Sequence, residues 1–468
     1  MPANATPKEF ASPEYFGIVD LTMKTATLQA PPQAPAPRRT IGFVTACAIV
    51  VANIIGTGVF TSLGFQLPDI HSGFALLMLW IVGGIVALCG ALCYGELSAT
   101  LPRSGGEYHF LSKIYHPAIG FMAGVVSATI GFAAPIALAA MAFGKYFQGV
   151  FDFGSPFFLS FAVVWLVALF HLGNLRVGSA FQNLWTVLKL LLVIALIGAG
   201  FFVQPKEAIS FLPASGDMMS IFGAPFAVAL VYVMYSYSGW NAAAYIIGEI
   251  KRPEKNVPRS LLAGTVIVLA IYVLLNAIFL VTTPRQELSG QLEVGLIAGK
   301  HIFGANGGRV VGAVICIGLI SAISSMTWIG PRVTMAMGED HWLLRLLGRK
   351  NRQGVPTNAI VLQLLIVNLL LLTESFERVV VYIQFGLLLC SLLTVLGVIV
   401  LRSSQPALPR PYRVWLYPLP PLIFAAITIW MMIYLLRSHT TESLAGLGTM
   451  LASLLLYFCT AKRPSPSA

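Results

Sequence analysis

The stretch Ala52-Asn-Ile-Ile-Gly-Thr-Gly-Val-Phe60 interrupts the first long apolar segment of the chain. Ile41–Ala52 before it and Val59–Leu67 after it are typical of a membrane helix. Glycine is a poor residue for a helix interior, so Gly56–Gly58 predicts a break in this helix. Backbone groups freed inside a bilayer are costly unless they line a cavity or hold a ligand. The stretch therefore indicates either a binding site or close packing of small residues against another helix.

A second apolar segment is interrupted in a similar way, by Tyr235-Ser-Tyr-Ser-Gly-Trp-Asn241. Paired interruptions at corresponding positions of two halves of a membrane protein are a good pointer to a transporter binding site. The pair favours the binding-site interpretation over simple packing.

The composition is that of an integral membrane protein. Of 468 residues, 57% are hydrophobic and 10% are charged, and the mean hydropathy is +0.82. Many apolar runs of roughly 20 residues follow one another, and each is long enough to cross ~30 Å of hydrocarbon. The predicted spans are 43–67, 74–99, 118–147, 157–175, 178–203, 221–248, 259–282, 309–337, 357–373, 379–402, 414–436 and 442–460.

The ends of the chain differ from the spans. Residues 1–38 are rich in Pro, Ala and Thr, and we expect a disordered cytoplasmic tail there. Residues 39–460 form the predicted twelve-helix domain, and residues 461–468 a second cytoplasmic tail. The net charge is +11, and most of the 29 Lys and Arg residues fall in the tails and loops of one side. This asymmetry predicts a multi-pass protein of the plasma (inner) membrane with both termini cytoplasmic, rather than a nucleic-acid-binding surface.

The pattern of reactive residues predicts neither an enzyme nor a metalloprotein. The six cysteines all fall in apolar spans, without a pairing pattern or metal-ligand spacing, so we expect them to be packing residues. The sequence contains no His/Cys metal cluster, no GxSxG motif and no pair of intramembrane aspartates. We therefore predict no catalytic residues, no metal and no cofactor.

Several motifs together resemble the amino acid permeases of the amino acid–polyamine–organocation superfamily, nearest the L-type amino acid transporter branch. Ile54-Ile-Gly-Thr-Gly-Val-Phe60 is similar to the family's first-helix motif, and Gly95-Glu-Leu with Pro102-Arg-Ser-Gly-Gly-Glu-Tyr108 to its first cytoplasmic loop. Ser238-Gly-Trp-Asn241 and the segment 249–259 are similar to the sixth helix and the loop after it. The similarity continues towards the C-terminus in the motifs Gly330-Pro-Arg-Val, Ala336-Met, Gly354-Val-Pro356 and Arg410-Pro-Tyr-Arg413.

The resemblance implies an all-α membrane protein with twelve transmembrane helices and a 5+5 inverted repeat, the leucine-transporter-like fold. Repeat one would cover about 41–203 and repeat two about 221–402, with two extra helices at about 414–460. Helices 1 and 6 would be broken at mid-membrane, and the substrate would be a zwitterionic amino acid. The implied function is that of a sodium-independent permease or exchanger, for neutral amino acids, working by alternating access.

Elementary electrostatics favours the same class of substrate. An opened helix presents free N–H groups at the start of its C-terminal half, the positive end of a dipole, so Gly56, Thr57 and Gly58 could hold a carboxylate. Carbonyl groups that end the N-terminal halves could take an ammonium, and by resemblance these lie at Ile54 and Tyr235. The predicted substrate-binding residues are Ile54, Gly56, Thr57, Gly58, Tyr235, Ser236, Ser238 and Gly239.

Lys189 lies deep in the predicted fifth span, too far from either end for its ammonium to reach water. A lysine at the membrane midplane is costly and therefore a candidate functional residue, with an ion pair as the alternative. The resemblance implies that its ammonium replaces a sodium ion bound in related transporters. It would contact carbonyls of the first helix and polar groups of the eighth, for which Ser324 and Ser325 are the candidates.

Three further features are predicted near this site. Asn53 either hydrogen-bonds to a neighbouring helix or touches the substrate. Tyr235 and Trp240 could form an aromatic gate, although packing is the more common role of such rings. Small residues on span three indicate room for a moderately large substrate side chain, and these are Ala133, Ala134 and Ala137.

Other functions stay open. A proton-coupled permease for cationic amino acids or polyamines would need an acidic residue facing the cavity, and none lies in the middle of a span. Two alternatives are not transporters. One is a membrane sensor that binds an amino acid without transporting it, and the other is a pigment protein with a Schiff base on Lys189. The loop 148–156 lacks the cysteine with which eukaryotic L-type relatives bind a heavy chain. No disulfide-linked heavy chain is therefore expected, and we predict a monomer or homo-oligomer.

Overall fold

A computed structural model describes residues 39–460, apart from residues 174, 208, 342–343 and 352–354. The predicted tails therefore lie outside the described residues, as does Gly354 of the C-terminal motif. The regular secondary structure of the described residues is helical. Their one β-type pairing is an isolated bridge between Ile41 and Ile250. The α-helices are α1 (Phe43–Ile54), α2 (Gly58–Gln66), α3 (Gly73–Thr100), α4 (Gly106–Ile114), α5 (Pro117–Val126), α6 (Ala134–Phe151), α7 (Pro156–Gly173), α8 (Leu175–Gly200), α9 (Asp217–Ile221), α10 (Ala224–Tyr237), α11 (Pro253–Thr282), α12 (Arg285–Leu288), α13 (Val294–Asp340), α14 (Thr357–Leu371), α15 (Phe376–Ser404), α16 (Leu419–Ser438) and α17 (Thr440–Thr460).

Within the described ranges, eight helical segments are long and apolar enough to cross a membrane. They are α1 with α2, α3, α5 through α6, α11, α13, α15, α16 and α17. Shorter apolar helices are α7, the later part of α8, α10 and α14. The all-helical, multi-pass character predicted from hydropathy agrees with this set of helices.

The third predicted span is continuous but changes its helical type in the middle. Pro117–Val126 and Ala134–Phe151 are α-helical, and the π-helical segment Ser127–Ala133 joins them. A π-helix widens the backbone locally and is often found at functional sites. Here it lies beside the cavity described below, which Ser127 and Phe132 line.

Several helical segments lie outside the spans predicted from hydropathy, among them the short helices α9 and α12. α4 lies in the loop predicted between spans two and three, and α13 begins at Val294, well before the predicted start of span eight at residue 309. The early part of α13 is separated by a kink at Gly304, whose φ of 74° is a conformation that favours glycine. Polar residues such as Lys300 lower the hydropathy of this part below that of a membrane span, although it is helical.

A buried carboxylate ties the end of α3 to the segment after α15. Glu96 is 2% exposed, and its two oxygens accept hydrogen bonds from the guanidinium of Arg402 at 2.8 and 2.6 Å. The backbone N–H of Val414 donates to the same carboxylate at 2.7 Å, and Arg410 lies 3.7 Å from it. The family-like motifs around Glu96 and Arg410–Arg413 therefore meet in space, which explains why both are charged in an apolar chain.

Candidate functional site

The first helix break lies between α1 and α2. α1 ends at Ile54 and α2 begins at Gly58, so Ile55, Gly56 and Thr57 lie outside both helices. Ile55 leaves the helical conformation with φ −71° and ψ 86°. The first N–H groups of a helix have no acceptor within it and form the positive end of its dipole, so the start of α2 suits an anionic group.

Gly58 is required by a close approach between α2 and α10. A Cβ atom on Gly58 would lie 2.5 Å from both Cα and Oγ of Ser236. The Ser236 hydroxyl also lies 2.8 Å from the hydroxyl of Ser62, and it donates to the Tyr232 carbonyl at 2.9 Å. At Gly56 the nearest atom to an added Cβ is the Ile54 oxygen, at 3.8 Å. Close packing therefore accounts for Gly58, whereas Gly56 has room around it.

The second break follows α10. Ser238 adopts φ −55° and ψ 143°, and the Tyr235 carbonyl accepts hydrogen bonds from its N–H at 3.0 Å and its hydroxyl at 2.7 Å. Gly239 has a φ of 98°, in the left-handed region, and a Cβ there would lie 2.9 Å from the Asn53 carbonyl oxygen. Two short 3₁₀ helices, Ala242–Tyr245 and Ile247–Glu249, continue the chain. The end of α10 thus meets the end of α1.

Tyr272 of α11, which the sequence analysis missed, connects the two breaks. Its hydroxyl lies 2.7 Å from the Ile54 oxygen and 3.0 Å from the Ser236 oxygen, and the residue is fully buried. Its ring packs edge-on against Trp80 with centroids 5.4 Å apart. One aromatic residue in an apolar span has no distinguishing sequence pattern, so only the tertiary structure reveals this role.

Lys189 of α8 reaches the broken first helix. Its side chain is 6% exposed, and its Nζ donates to the carbonyl oxygen of Ala52 at 3.0 Å. Ala52 lies in the last turn of α1, where carbonyl groups lack intrahelical donors. The ammonium therefore holds the C-terminal end of α1, which carries the negative end of the helix dipole.

The two serines predicted beside Lys189 have different surroundings. The Ser324 hydroxyl lies 2.8 Å from Nε2 of His171, in α7. Ser325 lines the same small cavity as Lys189. His171 is buried, and no charge or spacing in the sequence distinguished it from a packing residue.

Most of the predicted substrate-binding residues line one small cavity of ≈ 40 Å³ between the two breaks. From the predicted set, its lining includes Ile54, Gly56, Thr57, Gly58, Tyr235, Ser236, Ser238, Lys189 and Ser325. Gly239 and Trp240 instead line a larger adjoining cavity of ≈ 130 Å³. Four residues line both cavities, namely Asn53, Pro135, Ser238 and Met326.

The predicted gate residues belong to different aromatic clusters. Tyr235 packs edge-on against Phe376 with ring centroids 6.3 Å apart, whereas Trp240 packs against Tyr94 with centroids 4.7 Å apart. Their contacts therefore do not support a gate formed by Tyr235 and Trp240 together. Asn53 hydrogen-bonds within its own helix, to the Ile49 carbonyl at 2.8 Å, and not to a neighbouring helix.

Span three contributes other residues to the cavities than the three alanines suggested by sequence. Ala133, Ala134 and Ala137 are fully buried in packing. From the same span, Pro135 and Ala139 line the small cavity, and Gly131, Phe132 and Pro135 line the larger one. The π-helical segment changes which residues of this span face the cavities, and a regular helical periodicity does not predict that change.

The larger cavity also contains an acidic residue. Glu107 of α4 is 1% exposed and lines it, although it lies outside the predicted spans. Across the described part of the chain, no group of three or more His, Cys, Asp and Glu residues is arranged to hold a metal ion. The polar side chains lining the two cavities include hydroxyl groups, amides such as Asn53, Lys189 and Glu107.

Comparisons with known proteins give the family of the chain. Residues 41–455 match the family model described as "Amino acid permease". The chain is 28% identical to the "Large neutral amino acids transporter small subunit 2" of Mus musculus over 439 residues, which cover 90% of this chain and 81% of the relative. It is 25% identical to the human "b(0,+)-type amino acid transporter 1", covering 91% and 89%, and 26% identical to the mouse "Asc-type amino acid transporter 1", covering 90% and 81%. The chain therefore belongs to the amino acid permease family, in which its relatives are transporters of the L-type branch.

Proposed function

We propose that this protein is a secondary active amino acid transporter, a sodium-independent permease or exchanger for neutral amino acids. The observation that carries the proposal is the cavity between the two helix breaks, where Gly56–Gly58, the end of α10 and Lys189 come together. Discontinuous helices that meet at a cavity are the usual substrate sites of secondary transporters. The protein would act by alternating access in the plasma (inner) membrane, with both termini cytoplasmic.

The proposed architecture is a twelve-helix bundle with a 5+5 inverted repeat, at about 41–203 and 221–402, followed by two helices at about 414–460. The paired interruptions support it, since α1 and α10 each end within the first predicted span of its repeat. The eight long apolar segments and the four shorter apolar helices also supply enough spans.

The substrate carboxylate would bind at the N-terminus of α2, beside Gly56 and Thr57, where the helix dipole favours negative charge. The ammonium would bind the Ile54 carbonyl, which accepts one hydrogen bond, from Tyr272, and keeps a second lone pair. The Tyr235 carbonyl already accepts two bonds from Ser238, so its participation requires the Ser238 hydroxyl to turn away.

Lys189 would replace a bound sodium ion. Its ammonium provides a fixed positive charge at the Ala52 carbonyl, the kind of group that coordinates sodium in discontinuous helices. Ser325 lines the same cavity, and the partner of Ser324 is His171, so we retain only Ser325 as a candidate neighbour of the lysine. A transporter built in this way needs no sodium gradient.

The proposal that the substrate binds as a zwitterion can be tested directly. In binding to the purified full-length protein, the methyl ester of the best-bound amino acid loses a charge-assisted hydrogen bond at the carboxylate, and the N-acetyl derivative loses the ammonium. Each should bind at least tenfold more weakly, since ~1.4 kcal/mol suffices for that factor. An ester that competes as well as its parent amino acid would show that the carboxylate is not held at α2.

Transport is separated from sensing by counterflow into proteoliposomes, tested against a panel of the twenty amino acids. We expect accelerated exchange with a subset of neutral amino acids. Binding without counterflow would favour an amino acid sensor. The proposal includes no disulfide-linked heavy chain, because the loop 148–156 has no cysteine and the described cysteines lie elsewhere.

A further inference from the structure

A third cavity, of ≈ 210 Å³, is lined by other residues than the proposed substrate site. α7 and α13 contribute His171 and Arg332 to its wall, and the segment before α14 contributes Lys350. None of its described lining residues lines either cavity of the substrate site. The amino acid transport proposed above therefore gives this cavity no role.

Two permanent positive charges line the third cavity. Arg332 and Lys350 are basic, and no acidic residue is present among the described lining residues. His171 adds no permanent charge, and its Nε2 lies 2.8 Å from the Ser324 hydroxyl. Like charges that line one cavity repel each other, so an anion bound beside both would lower the electrostatic energy.

The protein's own carboxylates neutralise these two cations only loosely. Arg332 lies 3.5 Å from Glu249, and Lys350 lies 3.8 Å from Glu339, both longer than a charge-assisted hydrogen bond. All four side chains are partly exposed, and exposed ion pairs contribute little to stability. Neither glutamate lines the cavity. Both cations are therefore available to an anion from outside the chain.

The rest of the wall is largely apolar. The guanidinium carbon of Arg332 lies 3.6 Å from the centroid of the Trp328 ring, and Met335, Val355 and Ile360 also line the cavity. Stacking on the ring fixes the plane of the guanidinium, whose N–H groups match the geometry of a phosphate. The ligand that fits this wall combines a phosphate group with an apolar part.

The helices beside the third cavity also carry apolar side chains on their outer faces. Leu169 and Phe170, near the end of α7, are exposed, and so are Val361 and Leu365 of α14. On a membrane helix such side chains lie against lipid tails, which are as apolar as leucine. The acyl chains of a lipid whose headgroup occupies the cavity would therefore find an apolar surface along these two helices.

The segment between α13 and α14 indicates which leaflet supplies the lipid. Residues 341–356 contain no Asp or Glu, and their basic residues are Arg345, Arg349, Lys350 and Arg352. In the proposed topology this segment lies on the cytoplasmic side, where the leaflet carries anionic lipids. Basic pockets between helices on that side of a membrane bind anionic headgroups.

We infer that the third cavity binds the phosphate headgroup of an anionic lipid of the cytoplasmic leaflet, held by Arg332 and Lys350. The inference goes beyond the proposed function, from which it takes only the cytoplasmic position of the segment 341–356. Met326 of α13 lines the substrate cavity, and the next two residues, Thr327 and Trp328, line the third cavity. The lipid therefore contacts the same helix as the substrate.

Trp328 provides the readout, because it lies in the wall of the cavity. The purified full-length protein is reconstituted in phosphatidylcholine vesicles that contain phosphatidylglycerol with brominated acyl chains, and bromine quenches the fluorescence of tryptophans that it approaches. The reverse mixture carries the bromine on phosphatidylcholine. The signal of Trp328 is the difference between the unmodified protein and Trp328→Phe. We expect this signal to report at least about fivefold tighter binding of phosphatidylglycerol, since each basic residue contributes about that factor.

Lys350→Gln removes one of the two cations and should lower the preference for phosphatidylglycerol about fivefold. Arg332→Gln should do the same. The matched control is Arg345→Gln, which removes an equal charge from the same segment, at an exposed residue that does not line the cavity. This control should leave the preference unchanged within about twofold.

Three outcomes would overturn the inference, and each leaves the proposed amino acid site untouched. The first is equal binding of the two lipids at Trp328 in the unmodified protein. The second is an equal loss of preference in Lys350→Gln and Arg345→Gln, because general attraction to a basic surface would then suffice. The third is loss of the preference when inorganic phosphate is added at matched ionic strength, which would assign the cavity to free phosphate. The measurement on the unmodified protein decides even where a variant does not fold.

Discussion

At the scale of single residues, three buried polar side chains lie at or beside the proposed binding site. Lys189 supplies a buried positive charge to the end of α1, Tyr272 connects the two helix breaks, and Glu107 lines the adjoining cavity. Each lies in apolar surroundings, where a lost hydrogen bond is not replaced by water. Substitutions at these positions should therefore affect function more than surface substitutions do.

Replacing Lys189 with alanine should abolish transport while membrane insertion survives. The change removes the donor to the Ala52 carbonyl and leaves that buried group unsatisfied, at a cost of ~1–3 kcal/mol, so the end of α1 loses its orientation. Uptake into proteoliposomes should fall at least tenfold, with a normal monodisperse elution profile. Lys206→Ala, a lysine outside the helices, is the control and should transport normally. Normal uptake by the Lys189 variant would indicate a packing role.

Tyr272→Phe should weaken substrate binding while preserving the ring contact with Trp80. It removes one hydroxyl that serves two buried carbonyl groups, those of Ile54 and Ser236. Without this hydroxyl the Ile54 carbonyl, which would bind the ammonium, loses the contact that orients it, and we expect at least a tenfold weaker affinity. Tyr237→Phe is the matched control, because its hydroxyl serves only the Trp80 carbonyl. Equal effects of the two variants in a binding assay would contradict a special role for Tyr272.

At the scale of elements, the site depends on how closely the helix ends approach one another. α2 contacts α10 at Gly58, and Gly239 contacts the end of α1 at Asn53. Both contacts leave no room for a Cβ atom, and Gly239 also needs a positive φ. Gly58 begins α2, and Gly239 follows the end of α10. Because neither residue has a side chain, the backbones at the two breaks can lie in contact.

Gly58→Ala should lower the thermal stability of the protein and its transport rate. The added methyl group would lie 2.5 Å from Ser236, so α2 must move away from α10. Overpacking of this kind typically costs ~1–3 kcal/mol. The control is Gly198→Ala in α8, where nothing lies within 4 Å and alanine favours the helix. Unchanged melting and uptake in Gly58→Ala would mean that the two helices are not held in contact in the membrane.

At the scale of the whole molecule, buried charged groups connect helices that lie far apart in the chain. Glu96 with Arg402 joins α3 to α15, and Lys189 joins α8 to α1. In the proposed function, the Lys189 ammonium at the Ala52 carbonyl takes the place of a bound sodium ion. The energetics of transport should follow from this.

Uptake should therefore proceed at equal rates, within about twofold, in sodium and in choline buffers of the same ionic strength. The measurement uses proteoliposomes preloaded with an unlabelled neutral amino acid. Matched ionic strength is essential, because screening of exposed charges differs between dilute and concentrated salt. A strict requirement for sodium would contradict the assignment of Lys189 and would mean that the ion is bound elsewhere.

The sequence by itself determined the helical, membrane-spanning character of this protein and the position of its two interruptions. Apolar runs and helix-breaking glycines such as Gly56 and Gly239 act locally, so their effect can be read from neighbouring residues. Lys189 was predictable for the same reason, because one charge in a long apolar run is costly anywhere in a membrane.

Only the tertiary structure decided which groups meet at the site. Tyr272 is 218 positions from its partner Ile54, and Ser391 is 284 positions from Glu107. His171 is 153 positions from its partner Ser324. A polar or aromatic residue in an apolar helix looks the same in sequence whether it faces a packing neighbour or a cavity. Its partner depends on how the helices pack against one another, and helix periodicity does not specify that packing.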